Sequence, residues 1–342
     1  MTRHVNYGIA RKSRMTGGDI AIVGFLGLGM IIWWNFLRGD TTIPDVALTA
    51  GPKPVLTTDR PDDGPAPPSR QDVPEKGDTP APPHASDKPP VDPKQAASLV
   101  SAGKEALSRG DAITARSYLS EAFLLGLEPS QAAWVRAELT RIGQETVFSG
   151  HILDNDPLAS HYLVKTGDTL GKIAKSFRIP DDLVAALNGI ANKNSIREGQ
   201  SLRVVQGPFH AVVHKRSYVM DVFLDNVLVK HFKVGLGADG STPTGEWRVS
   251  TKLVNPTYYP PRGGQVVAAD DPTNPLGERW IGLIGISGEA AGQERYGIHG
   301  TVEPDSIGKS VSLGCIRMYN EDVMQLYTYL IEKQSTVTVV ND

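Results

Sequence analysis

Tyr296-Gly297-Ile298-His299-Gly300-Thr301 and, a short connection later, Ser310-Val311-Ser312-Leu313-Gly314-Cys315-Ile316-Arg317-Met318 are the stretches that decide how the C-terminal part of this chain is read. The only cysteine of the protein lies sixteen residues after a histidine. Glycines flank both, and glycine lets backbone N–H groups come close to a ligand. A thiol with a pKa of about 8.5 is mostly protonated at neutral pH, so a nucleophilic cysteine needs an imidazole beside it. His299 is the candidate partner. The N–H groups of Gly314 and Cys315 are candidate oxyanion donors, and Arg317, two residues on, falls on the same side to hold a carboxylate. Spacing alone is equally compatible with an inert buried thiol near an unrelated histidine.

Outward from these stretches, residues 209–341 read as strands. Apolar and polar residues alternate over Tyr218 to Asp225 and Leu228 to Val234, with Asp225-Asn226 as a hairpin turn between them. Further strand-like runs cover Glu246 to Val254, Arg279 to Ile286 and Thr336 to Val340, and one amphipathic helix is expected over Glu321 to Lys333. The simplest fold is a mainly antiparallel β domain with a helix after the cysteine motif. Tyr258-Tyr259-Pro260-Pro261 and Trp280 either line a substrate groove or simply pack. His210 and His214 would suit zinc on a helix, but Ala211-Val212-Val213 favours a strand, where four residues span about 13 Å. No metal is assigned.

Taken together, His299-Gly300 followed by Ser312-x-Gly314-Cys315-Ile316-Arg317, with Thr242-Pro243-Thr244-Gly245-Glu246-Trp247 and Asn274-Pro275-Leu276-Gly277 upstream, resembles the L,D-transpeptidase catalytic domain of YkuD type. That resemblance implies a two-step acyl transfer in peptidoglycan. The Cys315 thiolate attacks the diaminopimelate carbonyl of a stem tetrapeptide, D-alanine leaves, and the resulting thioester passes its acyl group to an amine. It also implies that His299 moves the protons, that the Gly300 carbonyl orients the ring, that Ser312 and Gly314 belong to the oxyanion turn, and that Arg317 engages substrate. No cofactor is implied. One position departs from many members, which carry His where Leu313 stands, and this alters the polarity of the pocket. Two alternatives use the same residues differently: an L,D-carboxypeptidase or endopeptidase in which water resolves the thioester, and a non-enzymatic tether between membrane and wall.

A smaller unit precedes this domain, over residues 160–206. Tyr162 to Lys165 alternates as a strand, and Thr166-Gly167-Asp168-Thr169 is a turn whose Asp or Thr caps a helix from Leu170 to Phe177. Pro180 opens a second helix that ends near Asn188-Gly189, and Ser201 to Val205 is a last strand. Val164-Lys165-Thr166-Gly167-Asp168-Thr169-Leu170, Leu187-Asn188-Gly189 and Ile196-Arg197-Glu198-Gly199-Gln200-Ser201-Leu202 resemble a LysM domain, a βααβ module. The resemblance implies binding of N-acetylglucosamine-containing glycans, peptidoglycan above all, through Gly167, Asp168, Thr169, Leu170, Asn188, Gly189 and Ile190. Asp168 and Thr169 can equally be caps, and Leu170 core.

The N-terminal part has a different composition. Residues 94–150 carry helical spacing, with Ala115, Leu119, Ala122 and Phe123 on one face and breaks at Gly110-Asp111 and Glu128-Pro129. Two or three helices are expected, as a spacer faintly resembling one tetratricopeptide unit. Residues 38–93 hold 14 of the 25 prolines between positions 41 and 93, with no aromatic residue there, and cannot bury a core. From Ile20 to Leu37 only Asn35 is polar, which reads as a single transmembrane helix. Arg3, Arg11, Lys12 and Arg14 precede it, so residues 1–19 are expected in the cytoplasm and everything after Arg38 in the periplasm or wall space.

The whole chain has 342 residues, enough for several domains, and a net charge of -3. No basic excess is present to bind nucleic acid. One cysteine allows neither a disulfide framework nor a cysteine-rich zinc site.

Overall fold

The structure is a computed structural model that describes residues 93–342, Asp154 and Arg262 excepted. The expected cytoplasmic tail, membrane span and proline-rich linker lie outside the described residues. Among the described residues no helix is long and apolar enough to cross a membrane.

Among the described residues three helices come first: α1 (Pro93–Ser108), α2 (Ala112–Leu125) and α3 (Pro129–Thr146). Asp111 caps α2 by accepting from the Thr114 N–H at 3.0 Å, and Pro129 starts α3, where its missing N–H costs nothing. Next comes a module of β1 (Ala159–Leu163), α4 (Leu170–Ser176), α5 (Asp181–Leu187) and β2 (Ser201–Val205), with β1 and β2 antiparallel. Thr169 caps α4 through the Lys172 N–H.

The C-terminal domain contains β3 (Phe209–His214), β4 (Val219–Leu224), β5 (Val227–Lys233), β6 (Leu236–Gly237), β7 (Gly245–Val254), β8 (Arg279–Gly285), β9 (Tyr296–His299), β10 (Ser310–Ser312), β11 (Ile316–Arg317), α6 (Asn320–Tyr329) and β12 (Thr336–Val340). Eight strands form one sheet in the order β11-β9-β8-β7-β12-β3-β4-β5, while β10 pairs with β6 apart from it. Two of the seven ladders in the large sheet, β11 with β9 and β12 with β3, are parallel, as is β10 with β6. The sheet is therefore mainly antiparallel, as expected, with two parallel ladders, and β12 returns through α6 to insert between β3 and β7. The expected helix over Glu321 to Lys333 is shorter, ending at Tyr329. Leu330 is extended, the Ser335 hydroxyl takes the Ile331 N–H at 3.0 Å, and Lys333 donates to Val249 O at 2.7 Å, so the chain leaves the helix to feed β12.

The helices α1–α3 are not a free-standing spacer. Ala115, Leu119, Val135, Leu139 and Ile142 form one buried cluster with Phe223 of β4 and Leu228 of β5, at the end of the sheet opposite β11. Burying each large side chain there contributes on the order of 1.5–3 kcal/mol. The βααβ module shares the core of the C-terminal domain, with Leu170, Ile173 and Leu202 in one cluster with Phe209 and Met220. Phe148, just after α3, stacks on Tyr329 at 4.5 Å and on Phe209 at 6.0 Å. Buried Arg203 of β2 donates to the Val147 and Thr146 carbonyls that close α3, and buried Arg116 of α2 holds Asp156 through two bonds of 2.6 and 3.0 Å.

Close docking of α3 depends on Gly143, where an added Cβ would lie 2.2 Å from the Val229 carbonyl oxygen of β5. On helix propensity alone Gly143→Ala would stabilise a helix interior by about 1 kcal/mol. The clash reverses the sign: the substitution is expected to lower stability by about 1–3 kcal/mol, as overpacking does. A denaturation midpoint equal to or above that of the wild type would contradict this packing.

Candidate active site

Strand register places the site. Leu253 of β7 pairs with Trp280 of β8, Trp280 with His299 of β9, and His299 with Arg317 of β11. Directly opposed residues in a sheet point to the same face, so four side chains form a row across four strands. The Trp280 and His299 rings stack with centroids 5.8 Å apart. Gly297 makes room for that indole, since a Cβ there would lie 2.5 Å from its six-membered ring. All four members of the row line one cavity of about 620 Å³ together with Cys315.

Cys315 sits in a turn between β10 and β11. The Ser312 hydroxyl donates to Cys315 O at 2.6 Å and accepts the Gly314 N–H at 3.1 Å. The Thr242 hydroxyl donates to Gly314 O at 2.8 Å and accepts the Gly237 N–H. Gly314 has φ 134°, and a Cβ there would strike the Tyr296 ring and Ser241 O. Only glycine suits this position. Gly314 was expected to offer its N–H to an oxyanion; in this structure that N–H is held inside the turn by Ser312 Oγ. Leu313 projects outward from the same turn, 61% exposed at the lip of the cavity.

His299 is buried, and its Nδ1 lies 2.7 Å from the Gly300 carbonyl oxygen. A carbonyl only accepts, so Nδ1 carries the hydrogen and Nε2 is left as the basic nitrogen. Gly300 is clamped in turn by Asn320, the first residue of α6, whose Oδ1 accepts the Thr301 N–H at 3.0 Å. A Cβ on Gly300 or on Gly277 would lie within about 2 Å of that oxygen. The connection between β7 and β8, which covers the cavity, is tied by buried Asn274. Its side chain bonds Pro256 O, Ala268 O and the Leu276 N–H. Tyr258, Tyr259, Pro260, Pro261 and Trp280, left open between groove and packing, all line the cavity. Thr242, Asn274 and Asn320 are the positioning residues that pattern reading missed as such. Two lie in or beside quoted motifs, but their partners are far away in sequence.

Burial dominates the electrostatics. Desolvation, helped by the Arg317 charge, lowers the His299 pKa to about 4 against the pull of the Gly300 and Pro275 carbonyls. Burial pushes the Cys315 thiol up, while the Gly297 N–H and the Arg317 charge pull it down. At neutral pH the imidazole is thus uncharged and the thiol mostly protonated.

In the βααβ module the expected glycan contacts divide. Leu170 is 1% exposed and fills core, so its side chain is not offered to a ligand. Asn188 spends its amide on Val184 O, Arg203 O and the Arg203 N–H, which makes it a brace between α5 and β2. Asp168 accepts from Tyr162 OH and the Lys165 N–H, and Thr169 caps α4. Gly167 and Gly189 are exposed and Ile190 is half-buried. Among the described residues no group of acidic, histidine or cysteine side chains could hold a metal. His210 bonds Thr336, and His214 bridges Asp221 and Asp342.

A mixed sheet carrying a glycine-bounded cysteine turn beside a buried histidine defines a class that sequence comparison also meets. Residues 208–339 match the L,D-transpeptidase catalytic domain (YkuD), and residues 162–205 match the LysM domain. "Putative L,D-transpeptidase YkuD" of Bacillus subtilis is 33% identical over 186 residues, covering 52% of this chain and 97% of the relative. "Putative L,D-transpeptidase YqjB" of the same organism is 41% identical over 124 residues, 35% of this chain, and the chain spans 65% of that relative's length. An L,D-transpeptidase structure from Mycobacterium smegmatis aligns with TM-score 0.30 and 14% identity, over 42% of this chain and 63% of that one. The chain belongs to the YkuD family of L,D-transpeptidases.

The depressed histidine has a signed consequence. An unfolded chain takes up the imidazole proton at about 6.5, whereas the folded site resists it down to about 4. This contribution to stability is therefore complete above the unfolded value and is lost as pH falls from about 6.5 to about 4. NMR titration is expected to show the His299 ring neutral at pH 5.5. A midpoint near 6.5 would refute its burial.

Proposed function

We propose that the protein is a peptidoglycan L,D-transpeptidase in which Cys315 is the nucleophile and His299 the general base. The observation that carries this reading is the convergence of Cys315, His299 and Arg317 on one cavity lined by Trp280, Tyr258 and Tyr259. His299 Nε2 accepts the thiol proton as Sγ attacks the diaminopimelate carbonyl of a stem tetrapeptide. The tetrahedral oxyanion is met by the Cys315 N–H. Collapse breaks the amide bond, D-alanine leaves with the proton held by the imidazole, and a thioester remains on Cys315. An acceptor amine then attacks the thioester carbonyl, gives its proton to His299 and expels the thiolate, which recovers it. Arg317 holds a substrate carboxylate beside the reacting centre. No external energy source enters, because the cleaved peptide bond is exchanged for another acyl linkage. The LysM module holds the same polymer through its exposed loops, and the full chain is expected to be retained on purified sacculi.

Cys315→Ala is expected to abolish both D-alanine release and cross-link formation in muropeptide analysis. Arg317→Ala should mainly raise KM for the tetrapeptide donor while leaving a Cys315 acyl adduct visible by mass spectrometry. Undiminished turnover in Cys315→Ala would remove it as nucleophile, and D-alanine release without cross-links would favour water as acceptor.

The same reading places the catalytic domain outside the cytoplasmic membrane, held by residues 20–37 as an uncleaved anchor. The basic residues before that run and the absence of a small-residue cleavage site close behind it support this. N-terminal sequencing of the protein from membranes should then return the intact N-terminus. A mature chain starting beyond Leu37 would exclude the anchor.

A further inference from the structure

Arg317 is already occupied. Its Nη1 donates to a Glu303 carboxylate oxygen at 2.6 Å, and its buried Nε has no partner. The two ends of this ion pair differ sharply, with the Arg317 side chain 18% exposed and the Glu303 side chain 67% exposed. Arg317 is held by the β11–β9 ladder in the row beside His299 and cannot leave. Glu303 is fixed only through its main chain: its N–H donates to Thr301 Oγ1 at 3.0 Å, and its carbonyl accepts from Ser306 Oγ at 2.6 Å and from the Ser306 N–H at 2.9 Å. The turn thus delivers a carboxylate to the guanidinium on a side chain that is otherwise free to swing into water.

The cavity makes the arrangement informative. Two guanidiniums, Arg295 and Arg317, are among its lining residues, and no carboxylate is. Glu303 is not among those lining residues and reaches Arg317 from beside the cavity. An ion pair with one partner this exposed is weak and can be exchanged. We propose that Glu303 is a built-in competitor that occupies the carboxylate site of Arg317 at rest and must be displaced by the carboxylate of the incoming stem peptide, making it a specificity-determining residue of this site. The inference rests on the transpeptidase reading for the identity of the incoming anion. Only a ligand that supplies its own carboxylate competes for Arg317 and has to break this pair. An amide-terminated peptide leaves Glu303 on Arg317, so its binding does not depend on the competitor.

The experiment compares the full chain carrying Cys315→Ala with the same chain carrying Glu303→Gln or Glu303→Ala in addition. Calorimetry measures Kd for a stem tetrapeptide with a free C-terminal carboxylate and for its C-terminal amide. With the competitor removed, the free-acid peptide is expected to bind about two- to fivefold more tightly, the equivalent of that weak pairing. The preference for acid over amide should widen with it. Equal or weaker binding of the acid peptide in both double variants would overturn the proposal, as would an equal gain for the amide. D-alanine release by the wild-type chain is followed separately. Its absence would defeat the transpeptidase reading, whereas its presence with an unchanged Kd would defeat only the role given to Glu303.

Discussion

Everything at the candidate site hangs on the register of four neighbouring strands. Leu253, Trp280, His299 and Arg317 share a face because β7, β8, β9 and β11 pair at those residues. A slip of one residue in any ladder would turn the side chains beyond it to the other face. Glycines protect the register: Gly282 and Gly297 are themselves paired, and each leaves room for the Trp280 side chain. The thiol is then carried to the row by a turn that Thr242 and Ser312 hold from both sides.

The same burial that fixes His299 decides its chemistry. A solvent-exposed imidazole would be partly charged near neutrality, but this one has lost its water and keeps two carbonyls and an indole for neighbours. It stays neutral and therefore able to accept a proton. The thiol, pushed the other way by the same desolvation, keeps its proton until a base is in line with it. Arg317 acts on both in the same direction, since a positive charge favours thiolate and disfavours imidazolium.

Helices α1–α3 and the LysM module stand around this sheet as parts of its packing. Phe223 and Leu228 would be an exposed apolar end of the sheet without the helices. Phe148, Phe209 and Tyr329 join the segment after α3, the first strand of the catalytic domain and its last helix in one stack. Arg116, Asp156, Thr146 and Arg203 add a buried polar tie among α2, α3 and β2. Removing one partner from such a tie strands a buried charge, so these segments hold each other in place.

The sequence by itself determined which residues are candidates for chemistry and most of the elements. Cysteine and histidine are reactive types, glycines around them have a local conformational reason, and strand alternation, Asp111 and Pro129 act through neighbours in the chain. Register and shared burial are decided at long range, and there the tertiary structure had the last word. It gave the Gly314 N–H to Ser312, sent Leu170 into the core and Asn188 to a brace, and ended the last helix at Tyr329 by docking Lys333 on β7. It also found Asn320 beneath Gly300 and Glu303 on Arg317. An amphipathic face shows that a helix must pack but not on what, because apolar surface is non-directional; a hydrogen bond between residues far apart in the chain leaves no periodic trace for a reader of sequence to find.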